Sequence, residues 1–567
     1  MRAFLNCLLV GVALAFAFFL HGCGGESGGT PEPGPQLVQQ TFEEQCNFCH
    51  GPGRSEDVAV VHGLTSNSPS GIIDAVTIDQ ATGRVTVAFK LFEEGSPLAL
   101  VPAGNIRFTI AKLIPPPAAG DSSLWQSYIN IIETPGGVGP GTVDQVQADS
   151  ERANRAGGVF TDNQDGSYTY QMSFDIRNIT SPIAVPFEPA LTHRVAMQVA
   201  DNVDNAFLDF VPDGGSIMTR QIAINASCNE CHIKLGLHGG DRIALEYCVT
   251  CHNPGTTDAN SGNTVDMKVF IHKLHRGEEL PSVEAGGEYA IWGNADRKFD
   301  FSEVVYPQDI RNCSKCHDGT PGARNRTADG DNWKTVPTIE ACGSCHDDVN
   351  FATGENHPAP GGIQTNNAGC SGCHPADTGG VPTANYQGGA NVAAVHRIPA
   401  QEAARRFQYN IISITNTAPG QFPTVTFSVT DPTNGNAPYD ILTAPEFTAP
   451  GGASSLNVLI GWPTTDYTNT GSTIPPAEPI SINARAGAIN NGNGTFTVAP
   501  TVPIPANVIG SGVVAIEGHP AVETVPGSGT FNLRVPVTGA VRSFPITDGA
   551  AQNRRAIVDL AKCNQCH

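Results

Sequence analysis

Seven times along this chain two cysteines stand two residues apart and are followed at once by histidine: CNFCH (46–50), CNECH (228–232), CVTCH (248–252), CSKCH (313–317), CGSCH (342–346), CSGCH (370–374) and CNQCH (563–567). Fourteen of the 16 cysteines are used this way; the other two, Cys7 and Cys23, lie near the N-terminus. Two thiols at this spacing reach the two vinyl groups of one porphyrin and form thioethers, while the adjacent imidazole sits under the iron. Zinc sites draw four ligands from paired motifs and do not require a histidine after every pair. A disulfide between cysteines so close would close a strained ring. The pattern therefore predicts seven c-type haems. Cys46, Cys49, Cys228, Cys231, Cys248, Cys251, Cys313, Cys316, Cys342, Cys345, Cys370, Cys373, Cys563 and Cys566 are the attachment residues. His50, His232, His252, His317, His346, His374 and His567 are the proximal ligands.

Each iron needs a sixth ligand, whose identity sets potential and reactivity. Methionine is scarce, at five residues including Met1, whereas eight histidines remain after the motifs and His21: His62, His193, His238, His272, His275, His357, His396 and His519. Residues 228–396 balance five motifs against five of them, His238, His272, His275, His357 and His396. A closed five-haem module with two imidazoles on every iron is expected there. IHKLH (271–275) sets two histidines three apart on one face of a helical turn, suited to two neighbouring haems. His62 is the nearest sixth ligand for the 46–50 site, and His193 and His519 read as core or surface histidines of β structure.

Outside the motifs the chain changes character. With 62 Gly, 43 Pro and only 15% charged residues, it favours turns and strands over long helices. RVTVAFKLF (84–92), NIRFTIAKL (105–113), SYTYQMSFDI (167–176) and HRVAMQVA (193–200) alternate or are rich in β-branched residues. FPTVTFSVT (422–430), SSLNVLIGW (454–462), GTFTVAP (494–500) and GVVAIEG (512–518) do the same further on. DNQDGSYTYQM (162–172) resembles NNGNGTFTVAP (490–500), and each β region precedes a haem motif, so a β-plus-haem unit is duplicated. The expected fold is multidomain: β-rich domains, sandwich or barrel, alternating with loop-rich multihaem domains of low secondary-structure content. The boundaries are 1–23 for a signal segment, 24–59 for a linker with the first motif and 60–225 for a β domain. A five-haem domain at 226–398, a second β domain at 399–557 and the start of a second haem domain at 558–567 follow.

Met1–Leu20 is a short basic start and an apolar run of signal-peptide type, followed by His21-Gly22-Cys23 and a Gly/Ser/Pro-rich stretch. A small residue before cysteine resembles a bacterial lipobox, making Cys23 the lipidation candidate; an ordinary cleaved signal and a retained anchor are the alternatives. The formal net charge of −22 excludes nucleic acid as a partner, since nothing neutralises phosphates.

CNECHIKLGLHGGDR (228–242), YCVTCHNPGTTDANSGNTVDMKVFIHKLHRG (247–277), DFSEVVYPQDIRNCSKCHDGT (300–320), DNWKTVPTIEACGSCHDDVNFATG (331–354) and CSGCHPA (370–376) resemble the pentahaem domain of the OmcA/MtrC family. These are decahaem outer-membrane cytochromes of metal-reducing bacteria. The resemblance implies a surface-exposed outer-membrane lipoprotein with mostly bis-His haems. It also implies receipt of electrons from an outer-membrane donor complex and delivery to ferric minerals, flavins or electrodes. Two departures stand out: the motif at 46–50 is additional, and the chain stops on the last residue of a motif, as expected of a piece of a longer protein.

Two other readings remain at this point: a subunit of a conductive filament, and a multihaem reductase with one open iron. An electron carrier without a substrate pocket is the leading expectation. DNQDG (162–166), TTDANSGN (256–263) and TADGDN (327–332) carry carboxylates of the kind that bind Ca²⁺, but none completes a twelve-residue loop and ordinary turns suffice.

Overall fold

Arg84–Glu93 shows why the β regions fold: Val85, Val87, Phe89 and Leu91 point one way and are fully buried, while their neighbours face outward. The computed structural model describes residues 69–567 apart from 203, 233, 358–360, 377–390, 450–451, 466, 469–477, 526, 559–560 and 562–567. The expectations for Cys23, Cys46, Cys49, His50, His62, Cys563, Cys566 and His567 lie outside the described residues.

The first β region contains β1 (Ser70–Ile78), β2 (Arg84–Glu93), β3 (Ser96–Pro97), β4 (Ile106–Ile114), β5 (Leu124–Ser127), β6 (Asn130–Glu133) and β7 (Gln145–Ala148). It continues with β8 (Glu151–Arg152), β9 (Val159–Asp162), β10 (Ser167–Asp175), β11 (His193–Val199) and β12 (Ala206–Phe210). One sheet runs β1-β2-β10-β9 with β3 on β2; the other runs β12-β11-β4-β5 with β8 on β4. Ile106, Phe108 and Ile110 from the second sheet meet Phe89, Tyr168 and Tyr170 from the first in one core. Two facing sheets around one core make this a sandwich, with β1 lying along β12 at one side.

A hairpin, β13 (Ala290–Gly293) and β14 (Arg297–Asp300), falls within the motif-bearing segment. The second β region follows: β15 (Gln408–Thr415), β16 (Thr424–Asp431), β17 (Ala437–Pro438), β18 (Ser455–Gly461), β19 (Ile480–Asn483) and β20 (Ile489–Asn490). β21 (Phe496–Val498), β22 (Ser511–His519), β23 (Ala521–Glu523), β24 (Phe531–Arg534) and β25 (Ala540–Pro545) complete it. Its sheets run β15-β16-β21-β20, with β17 on β16, and β19-β18-β22-β25. The four-stranded paths of both sheets repeat those of the first sandwich, with no counterpart of β8. Even the break in pairing recurs, between Ile73 and Ala75 in β1 and between Ile411 and Ser413 in β15.

The β9–β10 and β20–β21 turns repeat at atomic detail. Asp162 Oδ1 accepts from Gln164 N (2.7 Å), and Asn490 Oδ1 from Gly492 N (2.8 Å). Asp165 Oδ1 accepts from Ser167 N and Oγ, and Asn493 Oδ1 from Thr495 N and Oγ1. Gly166 (φ 85°) and Gly494 (φ 80°) take the left-handed position, and a Cβ on either would lie 2.6 Å from Pro97 or Pro438. The sequence likeness of the two segments is thus a likeness of hydrogen-bonded turns.

β4 and β11 are buried on both faces, and that is what seats the haem-motif segment. Their outer faces carry Thr109, Ala111, Leu113, Arg194, Ala196 and Gln198, which are all buried. Residues 241–250 cover them: Ala196 packs with Ala244 and Tyr247, the Thr250 hydroxyl bonds Thr109 Oγ1 (2.8 Å), and Arg194 Nη1 donates to Glu246 O (3.3 Å). The first sandwich is therefore the platform on which the 248–252 motif is built.

Candidate haem-ligand pairs

Between 225 and 398 the chain forms short helical turns joined by loops, because each motif is itself one turn of helix. The histidine N–H closes back on the first cysteine carbonyl: His252 to Cys248 (2.8 Å), His317 to Cys313 (2.9 Å), His346 to Cys342 (2.9 Å) and His374 to Cys370 (2.7 Å). This puts both thiols on one face with the imidazole beside them.

Every described motif histidine faces one non-motif histidine. The ring-centre separations are 6.0 Å for His232–His275, 6.0 Å for His252–His238, 5.8 Å for His317–His272, 6.1 Å for His346–His396 and 6.5 Å for His374–His357. Metal–imidazole bonds of about 2.0–2.1 Å on both sides of one ion put ring centres about 6 Å apart. The gaps thus have the width of one bis-imidazole iron.

Tautomers support the fit. His252 Nδ1 bonds Val265 O (2.8 Å), His272 Nδ1 Lys268 O (2.7 Å) and His275 Nδ1 Ile271 O (3.0 Å). His317 Nδ1 bonds Ile222 O (3.3 Å), His357 Nδ1 Gly362 O (2.9 Å) and His396 Nδ1 Val392 O (2.8 Å). With Nδ1–H donating to a carbonyl, the Nε2 lone pair is left for a metal. Burial also disfavours the imidazolium, pushing His238 and His272 down to about 4.

Helix Met267–Arg276 carries His272 and His275 toward two different motifs, at 313–317 and 228–232. Asp266 caps its start, and Lys273 ties it to Asp347 beside His346 (2.6 Å). Glu230 and Lys315 occupy the same place in their two motifs and form a largely buried ion pair. Neither partnership is legible from local sequence, although the opposite charges are.

Burial raises Cys228 to about 11, and the neighbouring Cys316 adds to it. Burial likewise raises Cys313 and Cys342, with added contributions from Cys345 and Cys370 respectively. Cys248 rises to about 12 through burial and Cys251, and it also senses Cys228. Direct contacts link some of these segments: Asn225 Oδ1 accepts from Leu245 N (2.8 Å), Lys315 pairs with Glu230, and Asn367 Oδ1 accepts from Ile339 N (2.7 Å).

His193 has a different environment. It is fully buried in the first sandwich, its Nδ1 bonded to Leu191 O (2.9 Å) and its Nε2 to the Tyr128 hydroxyl (2.8 Å). Both nitrogens are committed to the β core. His519 ends β22, and its buried Nδ1 has no hydrogen-bond partner among the described residues.

The carboxylates of the three Asp/Asn-rich turns are occupied by protein donors. Asp258 accepts from Asn260 N, Ser261 N and Trp292 N; Asp165 accepts from Ser167; Asp329 accepts from Gln221 N and Asp331 from Lys334. Among the described residues no group of three His, Cys, Asp or Glu side chains is arranged to hold a metal ion.

Residues 220–386 match the family model for outer membrane cytochrome MtrC/MtrF-like domains II/IV, and residues 72–217 match that for the OmcA-like N-terminal domain. The crystal structure of the outer membrane decaheme cytochrome OmcA is similar at a TM-score of 0.64 and 25% identity, covering 89% of this chain and 75% of that one. MtrC from Shewanella baltica is similar at 0.55 and 21% identity, over 88% and 74%. No curated protein sequence matches the chain. The fold and its matches make this a haem c cytochrome of alternating β-rich and loop-rich domains. It belongs to the OmcA/MtrC family.

Proposed function

We propose that this chain is a multihaem electron carrier of the outer membrane, holding seven haems and passing electrons from an outer-membrane donor complex to extracellular acceptors. Ferric minerals, flavins and electrodes are the acceptor classes, and lipidation at Cys23 anchors the protein at the cell surface. The observation that carries the reading is the pairing of all five described motif histidines with five other histidines at bis-imidazole width.

Bound haem supplies a one-electron couple. The chain's own residues do the rest. The cysteine pairs would attach each porphyrin, and each motif histidine together with its facing histidine, His275, His238, His272, His396 or His357, would hold the iron. Carbonyls on Nδ1 orient the rings, and burial keeps the imidazoles neutral. Two histidines on each of the five irons would leave no room for a substrate there, which favours a carrier over a reductase with an open iron. Because each pair comes from one chain, ligation needs no neighbouring protomer, unlike a filament completed by its next subunit.

Pyridine haemochrome with intact mass should count seven haems, and electron paramagnetic resonance of the oxidised protein should show only low-spin bis-His signals. A high-spin component from any of the five central sites would overturn the carrier reading.

A further inference from the structure

His252 of the 248–252 motif faces His238 with the two ring planes crossed at 50°. Two contacts hold the His252 ring. Its Nδ1 bonds Val265 O (2.8 Å), and the Phe270 ring stacks on it, with centres 5.8 Å apart and planes within 6° of parallel. Phe270 is met edge to face by Phe301 at 5.8 Å, and Phe301 contacts Tyr289 at 6.0 Å. Tyr289 and Phe301 flank the β13–β14 hairpin, where Phe301 N donates to Tyr289 O (2.9 Å). Lys273, on the same helix as Phe270, lies over the Tyr289 ring at 5.0 Å.

We infer that Phe270 is a positioning residue: its ring fixes the plane of the His252 imidazole, and so the angle between the two axial ligands of the 248–252 haem, with the base of the β13–β14 hairpin as its backing. The inference rests on the bis-His reading above. The carbonyl contact is not enough for this, because an N–H···O bond is hardly weakened by bends of about 30° from linear. A ring stacked on the imidazole face limits the turn that remains, since aromatic pairs hold a preferred geometry. Helix Met267–Arg276 then serves three sites through different side chains: Phe270 on His252, His272 opposite His317 and His275 opposite His232.

The test uses the full holoprotein in its oxidised form, with haem counting and electron paramagnetic resonance. The g anisotropy of a low-spin ferric haem follows the angle between its axial imidazole planes, so the spectrum reads ring orientation. His238→Ala, His272→Ala and His275→Ala identify the 248–252, 313–317 and 228–232 signals by removing each from the low-spin set. Phe270→Leu keeps an apolar side chain and a good helix former but loses the flat face. Its 248–252 signal should broaden and shift its largest g value, while the haem count and the number of low-spin haems stay the same. Phe270→Tyr keeps the ring and should leave that signal in place. A 248–252 signal unmoved by Phe270→Leu, or moved as far by Phe270→Tyr, would overturn the inference. Equal shifts of all three signals in Phe270→Leu would overturn it too, since Phe270 would then only support the helix. Missing low-spin signals in the unsubstituted protein would instead overturn the bis-His reading, before any Phe270 variant is compared.

Discussion

Replacing His275 by alanine tests the ligand pairs at the point where two of them depend on one element. His275 and His272 lie on the same helix, Met267–Arg276, but face His232 and His317 at 6.0 and 5.8 Å. Alanine cannot span that gap, so His275→Ala should convert one haem equivalent to high spin. The helix should survive, because alanine is a better helix former than histidine by up to about 0.7 kcal/mol and the Asp266 cap is untouched. His272→Ala should likewise convert one equivalent, a different one, and the double variant two. The assay is quantitative electron paramagnetic resonance of the oxidised protein, normalised to haem content. No high-spin signal in either single variant would refute the pairing. Two equivalents from one substitution would show that the helix as a whole, not each ring, sets the coordination.

Three further outcomes are expected. Burial holds His193 below its usual pKa, so the unfolded chain, with its histidine near 6.5, binds the extra proton. Stability of the first sandwich should therefore fall as pH drops below about 6.5, by at most about 1.4 kcal/mol per pH unit, and thermal melts of His193→Gln should lose that slope. Gly166→Ala and Gly494→Ala place a Cβ 2.6 Å from Pro97 or Pro438 at left-handed φ, and each should destabilise its own sandwich by about 2 kcal/mol in denaturant unfolding. Protein made without haem should be cut by protease within 225–398 first, with both sandwiches resisting. The large buried clusters lie in the β regions, and the motif segment contributes few apolar side chains to them.

Much of the scaffold was legible in the chain. All eight runs picked out by alternation are strands, β2, β4, β10, β11, β16, β18, β21 and β22, and they are the central strands or lie next to the sheet centre. Edge strands such as β1 and β25 escaped because their outward positions are exposed and the alternation is weak. The full burial of β11 looked like an ordinary apolar strand; only residues 241–250, folded back over it, explain why Arg194 and Gln198 are inside. His193 is fully buried and His275 half-buried, and nothing in their local sequence separates a core residue bonded to tyrosine from a ring facing another histidine.

By itself the sequence determined the chemistry that is covalent or local. Haem attachment needs only residues within one helical turn, which CxxCH supplies, and within 228–396 the five spare histidines match the five motifs in number. The tertiary structure alone decided which ring faces which. The partner lies upstream of the motif for His252, His317 and His374 and downstream for His232 and His346, so no spacing rule could assign it. The same holds for the seat of the 248–252 motif on the first sandwich, made by the Thr250 hydroxyl on Thr109 Oγ1. Axial pairing is a contact across the fold, and such contacts are set by packing rather than by neighbours in the chain.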